Sequence, residues 1–127
     1  MTERPANQGR VFRTPWFSRA ARKAGIGDAE LCDAIAQVMR GQAVDLGGGV
    51  FKKRLNKNRH RSIIVAKAGQ YWVYEYLFAK NDRDNIEDAE LAGFRKLARH
   101  YQTLTSRQFD QLVREENFTE ICDDREA

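Results

Sequence analysis

The hydrophobic period of this chain changes twice, and those changes constrain the fold more than any single motif does. From Thr14 to Gly41 apolar residues recur at helical spacing. From Ala43 to Lys80 they gather in short β-branched and aromatic runs divided by turn residues, and from Glu87 the helical period returns. Side chains repeat every 3.6 residues on a helix and every two on a strand, so each stretch suits one kind of backbone.

Thr14-Pro15 predicts a helix start, with Thr as N-cap and Pro at the first helical position, where its missing N–H costs nothing. Trp16, Phe17, Ala20, Ala21 and Ala24 follow at helical spacing, and Gly25 or Gly27 closes the helix. A second helix is expected after the cap Asp28, with Leu31, Ile35, Val38 and Met39 on one face and Gly41 as its stop. These two helices read as a hairpin with a very short link. Val11-Phe12-Arg13 suits a short strand. Ala43–Leu46 and Val50–Leu55 flank Gly47-Gly48-Gly49, a turn that needs positive φ or close backbone approach. Ser62–Ala66 and Tyr71–Phe78 are two further strands across the turn Ala68-Gly69-Gln70. Leu91, Phe94, Leu97, Ala98 and Tyr101 share a helical face, capped by Asp84, Asn85 or Glu87. Thr105 with Gln108 forms a capping-box pattern for a last helix holding Phe109, Leu112 and Val113.

The order predicts an α+β fold: a twisted antiparallel sheet of three to four strands between 43 and 80, with the N-terminal helical hairpin and the C-terminal helices packed on one face. The other face would then carry the basic residues. Residues 1–10 are expected to be a flexible N-terminus, 11–121 a single domain, and 122–127 a disordered acidic tail. A chain of 127 residues buries roughly two thirds of its unfolded surface and needs no staple. No run approaches the roughly 18–20 apolar residues of a membrane span. With no secretory apolar core near Met1, the expectation is a cytoplasmic protein whose Cys32 and Cys122 stay thiols.

The net charge is only +4, so its placement matters more than its size. Six of the ten residues from Lys52 to Arg61 are Lys or Arg. Such a run is either a solvated hairpin loop or a surface for a polyanion. Lys52 and Arg54 alternate on one predicted strand and Arg61 opens the next, so the three are expected on one sheet face, where they repel unless an anion joins them. Lys57, Arg59 and His60 extend the run. Arg83, with Lys80 and Asn81, is expected at the rim of the same surface, against the plainer reading of a strand end with local Asp82–Arg83–Asp84 pairing. Trp72, Tyr74, Tyr76 and Phe78 should share one side of their strand, and Tyr71, Val73, Glu75 and Leu77 the other. Core packing is the favoured role for these rings, although one exposed ring would stack on a base. His60 and His100 lack partners at metal-ligand spacing, and no metal or cofactor is expected. Gly47-Gly48-Gly49 is not a phosphate loop, since no Gly-Lys-Ser/Thr ending follows it.

The segments Phe17-Ser18-Arg19-Ala20-Ala21-Arg22-Lys23-Ala24-Gly25-Ile26, Asp28-Ala29-Glu30-Leu31-Cys32, Asp45-Leu46-Gly47-Gly48-Gly49-Val50-Phe51-Lys52-Lys53-Arg54 and Phe78-Ala79-Lys80-Asn81-Asp82-Arg83-Asp84-Asn85-Ile86 resemble the RelE/HigB-like toxins of type II toxin–antitoxin systems. The likeness runs from about Val11 to Ile121. It implies the RelE/ParE-type fold, ribosome-dependent mRNA cleavage, and neutralisation by a cognate antitoxin of helix-turn-helix type. By position the family's catalytic basic residues fall on Lys52, Lys53, Arg54, Arg61 and Arg83. Where some RelE-type enzymes use a C-terminal tyrosine, this chain has Glu87. Other members of the superfamily poison DNA gyrase, so a gyrase inhibitor of the same fold is the alternative. A plain nucleic-acid-binding module is a third reading.

Overall fold

A computed structural model describes residues 9–122. The elements are β1 (Arg10–Arg13), α1 (Pro15–Ala24), α2 (Asp28–Met39), β2 (Val44–Gly47), β3 (Val50–Leu55), β4 (His60–Lys67), β5 (Tyr71–Ala79), α3 (Asp88–Tyr101), α4 (Ser106–Arg114) and β6 (Thr119–Ile121). The capping chemistry read from the sequence starts three of the helices. The Thr14 hydroxyl accepts from the Phe17 amide at 3.1 Å. Glu87 with Glu90, and Thr105 with Gln108, close reciprocal capping boxes on α3 and α4. Gly27, not Asp28, caps α2, and Asp28 is its first helical residue.

The strands form one six-stranded sheet in the order β2-β3-β4-β5-β1-β6. Two expectations are corrected here. The sheet is mixed rather than antiparallel, because β1 runs parallel to β5, with Arg10 opposite Tyr71 and Arg13 opposite Tyr74. A parallel neighbour needs a long crossover connection, and the whole segment from α1 to β4 supplies it. The strand β6, absent from the sequence reading, pairs antiparallel with β1. Three residues are too few for a periodic signal.

The helices also cover both faces, not one. Val11, Leu55, Ile64, Ala66, Trp72 and Tyr74 pack with Phe17, Ala21, Leu31 and Ile35 of α1 and α2. Phe12, Val65, Tyr71 and Val73 pack with Ala98, Tyr101 and Phe109 of α3 and α4. Neighbouring strand residues point to opposite sides, so these two clusters lie on opposite faces.

The register between β4 and β5 shifts between Ile63, opposite Tyr76, and Ile64, opposite Tyr74. The extra residue is Glu75, a β-bulge. It breaks the expected alternation: Tyr76 and Phe78 join Val50 and Ile63 on the α3 side, while Leu77 joins Trp72 and Tyr74 on the α1–α2 side.

The expectation of free thiols is overturned, since Cys32 of α2 and Cys122 after β6 form a disulfide with Cα atoms 5.4 Å apart. Ile121 sits opposite Val11 on β1, which delivers the following residue to α2. A separation of 90 residues carries no hint of that meeting. No helix among the described residues is long and apolar enough to cross a membrane. The flexible N-terminus and acidic tail expected at the chain ends lie mostly outside the described residues, although β1 begins at Arg10 and Cys122 is bonded.

Candidate nucleic-acid interface

The strand pairing decides which cations meet. Val50 lies opposite Val65, Lys52 opposite Ile63, and Arg54 opposite Arg61, and Arg61 in turn lies opposite Phe78. Opposed residues share a face with Cβ atoms about 5 Å apart. Val50, Ile63 and Phe78 form one buried cluster with Leu91 and Phe94 of α3 around them. The basic residues therefore do not sit on a bare sheet face. Lys52, Arg54 and Arg61 continue the α3-covered face past the end of its helix, where Arg54 is exposed and the other two are half-buried.

The β3–β4 connection bends sharply through three consecutive left-handed residues, Asn56, Lys57 and Asn58, with φ of 55°, 53° and 71°. Asparagine tolerates that conformation better than most residues. The Glu30 carboxylate of α2 accepts from the Asn56 amide, and the Asn56 side chain reaches the Ala24 carbonyl of α1 at 3.4 Å. Arg61 Nη1 donates to the Asn58 carbonyl at 3.1 Å and to the His60 carbonyl at 3.2 Å, so its guanidinium is held against this bend. The Lys80 amide donates to the Arg59 carbonyl at 2.9 Å. That bond joins the bend carrying Lys57 and Arg59 to the turn carrying Lys80 and Asn81, all exposed.

Arg83 is half-buried at the border, with its guanidinium 5.5 Å from the Phe78 ring centroid. Its fork is occupied: Glu90 of α3 accepts two hydrogen bonds, at 2.5 and 3.1 Å. Arg83 also donates to the Tyr76 hydroxyl at 3.2 Å and the Asn85 carbonyl at 3.0 Å. Asp82 and Asp84 are not its ion-pair partners; the acid comes from the capping box of α3, seven residues on. The hydrogen bonds between the two side chains, more than any other contact, hold the Arg83 guanidinium still more firmly protonated and the Glu90 carboxyl below its ordinary range.

Two predicted site residues turn away. Lys53 lies opposite Ser62, on the α1–α2 face, and its ammonium donates to the Gln42 carbonyl at 3.0 Å. Burial first, then Arg54 and Arg40, lowers its pKa below the lysine value. It still approaches the others around the edge of β3, since Lys52, Lys53 and Arg54 line one groove of about 280 Å³ with Gln42, Ala43 and Val44. His60 faces the same way as Leu55, opposite it in the ladder, and its Nδ1 lies 3.1 Å from the Asn56 side-chain Nδ2.

The sequence puts Trp16 in one helical apolar pattern with Phe17, Ala20, Ala21 and Ala24, whereas in the structure it is 45% exposed. Phe17 and Ala21 hold the buried stripe of α1, and Trp16 lies about 100° round the helix from Phe17. Its neighbours gave a signal: α1 contains Arg19, Arg22 and Lys23 and no acidic residue.

Comparison with known proteins matches residues 9–121 to a family described as the RelE toxin of the RelE/RelB toxin–antitoxin system. Neither a curated protein nor a solved structure matches the chain.

Proposed function

We propose, because this chain belongs to the RelE family of toxin–antitoxin toxins, that it arrests growth by cleaving mRNA on the ribosome. The observation that carries the reading is the Arg54–Arg61 pair on the outer end of one sheet face, with Lys52 beside it and Arg83 at its border. Cations so close together are costly unless an anion joins them. A ribose-phosphate is that anion.

RNA brings its own nucleophile. Attack of a 2′-hydroxyl on the adjacent phosphorus displaces the 5′-oxygen and leaves a 2′,3′-cyclic phosphate. The hydroxyl must lose a proton, the phosphorane must be stabilised, and the leaving oxygen must gain a proton. No step requires a metal. Lys53 is the general base: it shares a groove with Lys52 and Arg54 at the edge of β3, its ammonium leaves the Gln42 carbonyl and swings round that edge to the hydroxyl, and burial lowers its pKa. Arg54 and Arg61 stabilise the phosphorane, since a guanidinium presents donors in a planar fork. Lys52 holds the entering phosphate. Lys57, Arg59, Lys80 and Asn81, on two turns joined by a backbone hydrogen bond, guide the flanking strand. Arg83 already grips a carboxylate in bidentate fashion, and the phosphate of bound RNA exchanges for Glu90. The ribosome supplies the remaining positioning. The antitoxin, of helix-turn-helix type, neutralises the toxin in the cytoplasm.

Arg61→Ala and Arg83→Ala are each expected to abolish growth arrest on induction while leaving antitoxin binding intact. In wild-type cells, mapping of RNA 5′ ends should reveal new ends within translated frames. Retained toxicity in both variants removes the site. Toxicity with DNA-damage signalling and no new ends replaces the nuclease with a gyrase inhibitor.

A further inference from the structure

We propose that Trp16 is a stacking platform for an unpaired nucleobase, placed where the outer surface of α1 meets the Arg83 border; this rests on the RNA reading above and adds a base-binding position to it. The rings of β5 do not fill that role. Tyr71, Trp72, Tyr74 and Phe78 are all at most 6% exposed and Tyr76 is half-buried with Trp16 stacked on it, whereas the Trp16 indole is 45% exposed.

The indole is also held rigidly on its inner side. Its ring stacks on Tyr76 with centroids 5.0 Å apart and planes 27° from parallel. Tyr76 is backed by Phe78 at 5.9 Å and Phe94 at 6.1 Å. The Tyr76 hydroxyl accepts from Arg83, whose guanidinium also lies over Phe78. Trp16 is therefore the solvent-side member of an aromatic stack rooted in the cationic border. A ring with one face packed and the other wet is already ordered for a partner with a π-face, so little entropy is lost on stacking.

The surroundings select the partner. Arg19 and Lys23 follow Trp16 at i+3 and i+7, all three are exposed, and α1 carries no acidic residue. They line one helix face as a cationic stripe headed by an indole. An apolar peptide would find charge rather than a greasy groove beside that ring. A single strand, with bases for the indole and phosphates for Arg19 and Lys23, satisfies both features.

The test measures binding of labelled single-stranded oligoribonucleotides, and of abasic ribose-phosphate oligomers of equal length, to the wild-type protein and to Trp16→Ala and Trp16→Phe at low salt. The wild type should prefer the base-bearing oligomer. Trp16→Ala should weaken that binding by about 5- to 100-fold and leave abasic binding unchanged. Trp16→Phe, which keeps a ring on Tyr76, should recover most of the loss. Equal weakening toward both oligomers, or none toward either, overturns the platform while leaving the RNA reading in place. Loss of antitoxin affinity with RNA binding unaltered assigns the indole to a protein partner instead. Failure of the wild type to bind either oligomer overturns the platform, and the RNA reading falls with it when no new RNA 5′ ends appear in translated frames on induction.

Discussion

Glu75 is the residue at which local chemistry and fold are most tightly joined. It is the extra residue of the β5 bulge, turned toward α3, where the Tyr101 hydroxyl donates to its carboxylate. Burial lifts its pKa to about 7, against the opposing pull of that hydrogen bond. A carboxyl whose folded pKa exceeds its unfolded value binds more protons in the native state, so stability falls as pH rises between the two values. From pH 4.5 to about 7 this group should remove at most about 3 kcal/mol, with no further loss above that window. Glu75→Gln should flatten the decline, measured by urea denaturation across that range. A wild-type profile as flat as the variant's would contradict the assignment. Arg83 teaches a related lesson about charge. Its cation was evident in the sequence, but its commitment to Glu90 was not, because a helix-capping acid and a strand-end arginine meet only when α3 docks.

At the scale of elements, the β2–β3 hairpin was the most legible, because three adjacent glycines leave few alternatives. Gly47, Gly48 and Gly49 all have positive φ, at 85°, 67° and 86°. At Gly49 a Cβ would also meet the Ala66 carbonyl oxygen at 2.8 Å, where backbone cannot yield. Gly49→Ala should therefore cost about 2–4 kcal/mol. Gly25, the left-handed C-cap of α1, has nothing within 4 Å of a built Cβ, so Gly25→Ala should cost only about 1 kcal/mol. Chemical denaturation of the two variants side by side checks this, and equal losses would refute the close-approach argument. The guanidinium of Arg95 on α3, which donates to the carbonyls of Leu46 and Gly47, adds a lock on the hairpin with no local sequence signal.

At the scale of the whole molecule, the first and last described strands are drawn together. β1 lies between β5 and β6, so the first and last strands are neighbours in the sheet. The Cys32–Cys122 bond ties the exit from β6 to α2 across 90 residues. Closing so long a loop restricts the unfolded chain, and its reduction should lower stability by about 2–4 kcal/mol. Thermal unfolding with and without a dithiol reductant measures this, and the Cys32→Ala/Cys122→Ala double variant should ignore the reductant. Identical melting of oxidised and reduced wild type would exclude a stabilising bond.

The sequence by itself determined the helices, the Thr14 and Thr105 caps, the glycine hairpin, the strands from β2 to β5, and the alternation that sets Lys52 and Arg54 on one face. Those are signals of a few residues, because hydrogen-bonded turns and side-chain periodicity act over that range. Arg61 joined them because a hairpin enforces its own register. The same alternation turns Lys53 and His60 to the opposite face. Tertiary structure alone decided the rest: β1 parallel to β5, helices on both faces, the bulge that moved Tyr76 and Phe78 across the sheet, and Trp16 in solvent. Each depends on which distant surfaces bury one another, and a free energy summed over the whole core leaves no mark at any one position.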